Sequence, residues 1–478
     1  MSNFAKYDQS NLNRDLFGLT LDPNGTTTLQ TQLIEALRGI ITSTPGHAGT
    51  RLPASRALAT ELSVSRTTVQ VAYDQLISEG YLVSRRGSGT FVAENVSHLT
   101  SPLQRQPTQR PRVSQWRPFQ TGIPDPSLLP HAQWAQHLER AWTKPEPDLL
   151  GRADPCGWYP LRAAISDHLA AWRHLTCDPE QVLITSGARE SLEIIFSGLF
   201  APSQTVAIED PCWPRTREVL EATGAVPHSV PIDADGLNPE GFPDRSAAVI
   251  VTPSRHYPTG RSLPLPRRVT LLDWAKRTGG LIIEDDYDSE FRYQGHPLPS
   301  FAGLDGLQNT IYLGSFSKLI SPALRIGYLV LPRHHLPQAR VFLERTGPCA
   351  SLIPQPALAT FMSSGDYAIH LRRIRRIYAQ RQAHLLSCLL PLPDLLEINP
   401  DPAGMHLCLP LKPKLSDRVS DRHISQQARD AGLSVAALSS HSTQPDPPQA
   451  LLLGYAAFDE DRLTAASETL IKILRDIA

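Results

Sequence analysis

Gly314-Ser315-Phe316-Ser317-Lys318 follows an apolar run and places a lysine amine just beyond the end of a predicted β-strand. A lysine amine in such a position can form a Schiff base with an aldehyde, and small hydroxyl residues beside it can bind a phosphate on the same ligand. Arg325, farther along the chain, offers paired N–H donors for that phosphate. A lone lysine after a strand is usually a surface charge, so the motif gains meaning only from others that accompany it.

Two further motifs follow other predicted strands. In Ile282-Ile283-Glu284-Asp285-Asp286-Tyr287, one carboxylate can keep a pyridine nitrogen protonated and the phenol can hydrogen-bond a ring oxygen. Thr185-Ser186-Gly187-Ala188 precedes a helix expected to begin near Arg189, where free N–H groups and the helix dipole attract phosphate. Taken alone, an acidic run is more often a solvated strand end or a magnesium site. Because strand ends of an α/β sheet converge on one crevice, the three motifs together predict one binding site.

The chain beyond Phe119 alternates helical stretches with short apolar strands, which predicts an α/β domain with a mainly parallel sheet. The segment 351–478 is expected to form a smaller α+β lobe, called the C-terminal lobe below. The candidate strands are Gln181–Ile184, Thr205–Ile208, Ala248–Thr252, Gly280–Glu284, Thr310–Gly314 and Ile326–Leu331.

Residues 28–93 have the pattern of a separate winged helix-turn-helix. Apolar residues at helical spacing between Leu29 and Ile41 predict a first helix that stops before Pro45, and Ser55 is a plausible N-cap for a second. Ser65 caps a third helix that ends at Gly80, and a glycine-rich hairpin follows. Double-stranded DNA is the expected partner, although a winged helix can also serve protein contacts. The residues expected to contact DNA are Arg56, Ser65, Arg66, Thr67, Thr68, Gln70, Arg86 and Gly87.

Bulk properties set the limits of this interpretation. A chain of 478 residues is longer than a single hydrophobic core usually supports, so at least two domains are expected. Because the net charge is only -1, a DNA-binding surface has to come from a local cluster of basic residues. The six cysteines form no C-x-x-C pair, which argues against a metal site or a disulfide framework and favours the cytoplasm. No signal peptide, transmembrane span or other membrane partner is expected.

Two segments outside the domains are expected to lack a core of their own. Residues 1–27 are interpreted as a tail and residues 94–118, rich in proline, as a linker to the domain 119–478. A solvated linker is the commoner interpretation, although its arginines could touch DNA phosphates: Arg105, Arg110, Arg112 and Arg117.

The motifs also carry a resemblance to known families. The segments Arg51–Ala59, Val64–Val69, Glu79–Leu82 and Gly87–Val92 resemble the GntR-type DNA-binding domain. The chain beyond Phe119 resembles fold-type I pyridoxal phosphate (PLP) enzymes of the aspartate aminotransferase class. Over nearly its whole length the chain resembles the MocR/GabR subfamily of GntR-type regulators.

That resemblance implies PLP as the cofactor, a homodimer and a role for each motif residue. Lys318 would form the internal aldimine, Asp285 would pair with the pyridine nitrogen and Tyr287 would meet the ring hydroxyl. Trp213, in Asp210-Pro211-Cys212-Trp213-Pro214, would stack on the ring. Arg215 is a weaker candidate for an effector carboxylate. The residues implied around the phosphate are Ser186, Gly187, Ala188, Ser315 and Arg325.

The sequence also departs from the aminotransferase pattern. Tyr257 stands where aminotransferases place an asparagine, Arg255 where relatives often have histidine, and Arg152 where a tyrosine commonly reaches the partner subunit's phosphate. The segment Leu451–Ala456 lacks the arginine that binds a substrate α-carboxylate, which disfavours ordinary transamination.

The leading hypothesis is therefore a cytoplasmic, PLP-dependent transcription regulator that senses PLP itself or a small amino compound such as γ-aminobutyrate or taurine. The alternative is a working aminotransferase with an attached DNA-binding module. A third possibility, a DNA-binding protein whose large domain has lost its cofactor, is disfavoured by the presence of Lys318, Asp285 and Tyr287.

Overall fold

The computed structural model describes residues 16, 18–43, 47–98, 116–151, 154–241, 243, 245–295 and 298–478. The chain divides into two compact units, Met1–Val113 and Ser114–Ala478. Most of the predicted linker, with Arg105, Arg110 and Arg112, lies outside the described residues, as does Arg152.

The first unit is a winged helix-turn-helix, as predicted. Its core is formed by apolar residues of all three helices and of the hairpin, among them Leu37, Leu58, Val69 and Leu82. Its elements are α1 (Leu29–Ser43), α2 (Ser55–Glu61), α3 (Arg66–Ser78), β1 (Leu82–Arg85) and β2 (Gly89–Val92).

The helix caps agree with the sequence in one case and differ in the other. Ser65 caps α3 as expected, because its Oγ accepts a hydrogen bond from the Thr68 N–H at 3.0 Å. The predicted N-cap at Ser55 is wrong: Ser55 is the first helical residue, and its neighbour Ala54 is the cap, without a side-chain hydrogen bond. The chain entering α2 is held instead by the Tyr73 hydroxyl, which donates to the Pro53 carbonyl at 2.9 Å.

The first unit is also larger than the predicted segment 28–93. Leu16, from the predicted tail, and Val96, from the predicted linker, are both buried in its core. Val96 lies in a short 3₁₀ turn, Glu94–His98. Apolar residues that are isolated in a polar segment have no periodicity, so the sequence pattern could not assign them to a core.

The second unit is built around an eight-stranded sheet of order β3-β10-β9-β8-β7-β4-β5-β6. All six predicted strands belong to it, with ends shifted by one or two residues. The strands are β3 (Val182–Thr185), β4 (Thr205–Asp210), β5 (Val226–Asp233), β6 (Gly236–Leu237), β7 (Ala248–Val251), β8 (Leu281–Asp286), β9 (Thr310–Ser315) and β10 (Gly327–Val330).

The sheet is mainly parallel, with one reversed strand. Strands β5, β4, β7, β8 and β9 are parallel to their neighbours in that series, whereas β10 runs antiparallel to both β9 and β3. Consequently β3 and β9 run in the same direction, and their carboxyl ends lie on either side of Gly327, with which both strands pair. The last two strands of the sheet order, β5 and β6, were missed from the sequence, because β5 is largely solvent-facing and contains Pro227 and Pro231 and β6 has only two residues.

Helices cover the sheet, and the C-terminal lobe adds a three-stranded antiparallel sheet of order β11-β13-β12. Those strands are β11 (His406–Pro410), β12 (Ala436–Ala437) and β13 (Ala450–Gly454). No described helix has both the length and the apolar character needed to cross a membrane. The helices are α4 (His131–Thr143), α5 (Pro147–Leu150), α6 (Tyr159–Arg173), α7 (Ala188–Gly198), α8 (Pro214–Ala222), α9 (Leu265–Thr278), α10 (Phe301–Asp305), α11 (Leu336–Thr346), α12 (Gln355–Ser363), α13 (Asp366–Leu389), α14 (Pro413–Ser416), α15 (Asp421–Asp430) and α16 (Glu460–Ile477).

Candidate functional site

The carboxyl ends of β3, β4, β7, β8 and β9 border a single cavity of about 440 Å³. This volume suits a small-molecule site. Every residue that the sequence proposed for cofactor binding lines it: Ser186, Gly187, Ala188, Trp213, Asp285, Tyr287, Ser315, Lys318 and Arg325.

Lys318 lies just beyond β9 with its amine inside the cavity. Its Nζ donates a hydrogen bond to the Gly122 carbonyl at 2.6 Å. Burial lowers the pKa of Lys318 below its ordinary value, although Asp288 and Asp285 oppose the shift. A lowered pKa makes the neutral, nucleophilic amine more available.

Asp285 is the member of the acidic run that faces the cavity. Because side chains alternate along a strand, Glu284 and Asp286 point to the opposite side of β8, where Arg173 binds both carboxylates. No described residue donates a hydrogen bond to Asp285, and burial and the Asp286 carboxylate raise its pKa to about 7. Asp285 therefore feels the charge of Lys318 but forms no ion pair with any described residue, and a pyridinium nitrogen would supply such a partner.

Tyr287 and Trp213 provide the aromatic part of the lining. The Tyr287 hydroxyl accepts a hydrogen bond from Arg255 Nη1 at 2.9 Å. Trp213 is the N-cap residue of α8, half-buried beside the end of β4. That end is fixed by Asp210, whose carboxylate accepts hydrogen bonds from Ser442 and from the Thr443 N–H.

Another part of the lining is suited to an anion. The Arg325 guanidinium forms no ion pair or hydrogen bond with any described residue, and Arg325 adopts a left-handed backbone conformation with φ of 52°. The first N–H groups of α7 have no acceptors within the helix. One part of the prediction is wrong, because the Ser186 N–H is not free: it donates to the carboxylate of Glu190 in the first turn of α7.

Arg215, the weaker candidate for an effector carboxylate, does not line the cavity. Its side chain is 62% exposed and pairs with Glu218 at 2.6 Å. Both residues lie on the exposed side of α8, so the helix turns Arg215 away from Trp213 and the cavity. The structure of this chain therefore does not support the prediction for Arg215.

Several lining residues were not found from the sequence. Gly122, which accepts the Lys318 hydrogen bond, has φ of 72°, and a Cβ there would lie 2.7 Å from Nζ. Glu209 accepts hydrogen bonds from the Thr252 N–H and Oγ1, and its position before Asp210 at a strand end could have indicated it. His406 comes from the start of β11, and nothing in its local sequence points to the site.

The residues present fit a cofactor with an aldehyde, a pyridine ring and a phosphate. Lys318 supplies an amine of lowered pKa, and Asp285 and Arg325 supply an acid and a cation that form no ion pair with any described residue. When bound, such a group supplies an electrophilic carbonyl and an electron-withdrawing ring. Trp213 would hold its ring against the strand ends, and the Gly122 carbonyl orients the amine of Lys318.

The predicted DNA-contacting residues of the first unit are mostly exposed. Arg56, Arg66 and Arg86 form no ion pair with any described residue, and Thr67 and Gln70 are exposed on α3. Thr68 is half-buried, and its hydroxyl is 2.8 Å from the Ser65 hydroxyl, so this pair also maintains the cap of α3. Gly87 has φ of 77° at the hairpin tip, which favours glycine there.

Two family models match the chain in the same order as its units. Residues 29–92 match the model described as bacterial regulatory proteins, gntR family. Residues 140–470 match aminotransferase class I and II, a PLP-dependent family, which supports the predicted cofactor.

Curated relatives match both units together. The HTH-type pyridoxine biosynthesis transcriptional regulator PdxR of Corynebacterium glutamicum is 36% identical over 93% of this chain and 96% of its own length. The probable rhizopine catabolism regulatory protein MocR of Rhizobium meliloti is 35% identical over 92% of both chains. These relatives are regulators, which supports the leading hypothesis over a working aminotransferase with an attached module.

Among solved structures, the α-aminoadipate aminotransferase LysN of Thermus thermophilus matches with a TM-score of 0.67. It is 24% identical and covers 75% of this chain and 92% of its own, a likeness that shows the fold alone. The predicted fold class is thus confirmed. The chain thus has a gntR-type DNA-binding domain followed by a class I and II aminotransferase domain, and regulators match it over nearly their full length. This is the organisation of the MocR/GabR subfamily of GntR-type transcription regulators, and the chain belongs to that subfamily.

Proposed function

We propose that this regulator responds to PLP itself, bound in the cavity through Lys318, Asp285 and Arg325. The observation that carries the proposal is that Arg325, assigned to the phosphate, is the one arginine among the described lining residues that forms no hydrogen bond or ion pair with another described residue. Besides Arg325, Arg189 is the only arginine of that lining, and its Nε pairs with Glu193 at 2.9 Å on the exposed side of α7. An amino-acid effector would therefore lose its usual bidentate partner.

The part of the cavity beside the C-terminal lobe supports the same conclusion. It is lined by Tyr257, Met405 and His406. Burial lowers the pKa of His406 far below its ordinary value, so that its ring is neutral and cannot serve as a cation. An aromatic and thioether wall with a neutral imidazole suits a ring or an apolar group better than a carboxylate.

PLP binding can change DNA affinity only if the ligand binds two states of the protein unequally. We propose such a two-state response, in a homodimer that reads a two-fold symmetric operator in the cytoplasm. The resemblance to MocR/GabR regulators and the regulator of pyridoxine biosynthesis among the relatives support this proposal. Symmetric half-sites about one helical turn apart are the expected DNA target.

The proposed response is tested by titrating PLP against the protein bound to DNA from upstream of its own coding sequence. We expect the DNA dissociation constant to change by about 5- to 150-fold on PLP saturation, the usual range of allosteric coupling. Inorganic phosphate and pyridoxal are the matched controls and should have little effect. If the affinity changes only when γ-aminobutyrate or taurine is added to the PLP-loaded protein, an amino compound is the effector instead.

Replacement of the unpaired cation should affect the phosphate alone. We expect Arg325→Gln to raise the PLP dissociation constant by about 10- to 100-fold, because charge-assisted hydrogen bonds to a phosphate are worth about 1.5–3 kcal/mol. Pyridoxal, which has no phosphate, should bind the variant and the wild type equally, as measured by absorbance titration. Equal losses for both ligands would mean that Arg325 maintains the cavity rather than binding phosphate.

A further inference from the structure

Arg255 is buried behind Tyr287, a residue that lines the candidate cofactor site. It follows β7 in the loop that ends at Tyr257, and its side chain is 2% exposed. Two carboxylates bind its guanidinium: Asp288 Oδ2 lies 3.1 Å from Nη1, and Asp401 Oδ2 lies 2.7 Å from Nη2. The charge of this arginine is therefore compensated within the fold.

The five N–H donors of this guanidinium have five acceptor contacts. Nε and Nη2 both donate to Asp401, and Nη2 also donates to the His406 carbonyl at 2.8 Å. Nη1 donates to Asp288 and to the Tyr287 hydroxyl at 2.9 Å. Every N–H of the guanidinium thus has an acceptor, and the Tyr287 hydroxyl is one of these acceptors. Because the guanidinium is planar and held by its other contacts, it fixes the position of the phenol oxygen.

Two glycines make room for this arrangement. Gly404 has φ of 92°, and a Cβ there would overlap the guanidinium of Arg255. Gly260 has φ of 78°, and a Cβ there would overlap the Asp401 carboxylate. Asp401, Gly404 and His406 belong to the C-terminal lobe, so Arg255 joins that lobe to the phenol at the cavity.

We propose that Arg255 is a positioning residue for the cofactor: it holds the Tyr287 hydroxyl so that the phenol hydrogen points to the ring oxygen of PLP. This inference rests on the proposed binding of PLP at Lys318. The phenol oxygen accepts from Arg255 and its hydrogen is directed to the neighbouring Asp288, so on PLP binding this hydrogen would turn from Asp288 to the ring oxygen while the contact with Arg255 is kept. Asp401 and the His406 carbonyl fix the far side of Arg255, so the C-terminal lobe sets the direction of the phenol.

A hydrogen bond to the ring oxygen has a measurable consequence. It stabilises the negative charge on that oxygen and thereby disfavours the proton of the adjacent Schiff base, which shares this charge. Loss of the Tyr287 contact should consequently raise the pH midpoint at which the visible Schiff-base band changes. The titratable groups that interact electrostatically with Arg255 or Tyr287 are Asp288, Asp401, Tyr257, Tyr293, Tyr455, His256, His406 and Cys408.

The test is a double-mutant cycle read from the absorbance spectrum between pH 5 and 10. We expect Arg255→Gln to raise the midpoint by about one pH unit, equivalent to about 1.4 kcal/mol. Tyr287→Phe should raise it similarly, and Arg255→Gln should add almost nothing in the Tyr287→Phe background. Arg255→His, which keeps a nitrogen donor in a smaller side chain, is the variant to use if Arg255→Gln does not fold by circular dichroism. Arg268→Gln, a buried arginine bound to backbone carbonyls, controls for general loss of packing.

The outcomes separate this inference from the proposed function. A wild-type protein without any Schiff-base band would overturn the proposed function itself. A wild-type band with an unchanged midpoint in both Arg255 variants would overturn only the positioning role. Additive shifts of Arg255→Gln and Tyr287→Phe would also overturn it, because Arg255 would then act independently of the phenol.

Discussion

Lys318→Ala protein is expected to show no visible Schiff-base band at any PLP concentration and no PLP-dependent change in DNA affinity. Lys318 is the only lysine among the described residues that line the cavity, and no other lining side chain offers an aliphatic amine. PLP could still enter through contacts with Arg325 and Asp285, so a weakened, non-covalent association is expected to remain. Absorbance titration and DNA-binding titration of the same preparation measure the two effects together.

The matched control is Lys276→Ala, which removes an exposed lysine from α9. It should retain both the band and the DNA response. A band that persists in Lys318→Ala would assign the Schiff base to another amine and contradict the proposed site. A band that is lost while DNA affinity still responds to PLP would show that regulation needs the bound cofactor but not the covalent bond.

Arg66→Ala protein is expected to bind its operator about 10- to 100-fold more weakly, because one bidentate contact to a base contributes about 1–3 kcal/mol. Arg66 is the first residue of α3, directly after the Ser65 cap, and its exposed guanidinium has no ion-pair partner among the described residues. The N-terminal end of a recognition helix is where side chains meet base edges. Fluorescence anisotropy with operator and scrambled DNA measures affinity and discrimination together.

Two variants determine how Arg66 acts. Arg66→Lys keeps the charge but loses the planar pair of donors, so it should bind scrambled DNA normally and discriminate poorly. Arg86→Ala, at the hairpin tip, should weaken binding to both DNAs by a similar factor, as expected for a residue that contacts phosphate or groove shape. An Arg66→Ala protein with undiminished discrimination would contradict the assignment of base contact.

The sequence predicted nine of the residues that line the cavity, because their chemistry lies within a few residues of strand ends. Lys318, Asp285 and the Ser186–Ala188 turn each follow an apolar strand, and strand ends at one sheet edge must approach one another. The first unit was equally predictable, because its helices have regular apolar spacing and Ser65 supplies a local cap. Strand β5 lacked such a pattern, since it is largely exposed and interrupted by prolines.

The sequence by itself therefore determined the two-unit organisation and the positions of the main strands along the chain. It also determined which residue types are available to bind a phosphate, a ring and an aldehyde. Only the tertiary structure decided which of these side chains are free. It joined the Ser186 N–H to Glu190, turned Arg215 away from the cavity, and brought Asp401 and His406 to Arg255. Helix and strand patterns report local backbone preference, whereas the partner of a buried polar group depends on which distant segments meet when the core closes.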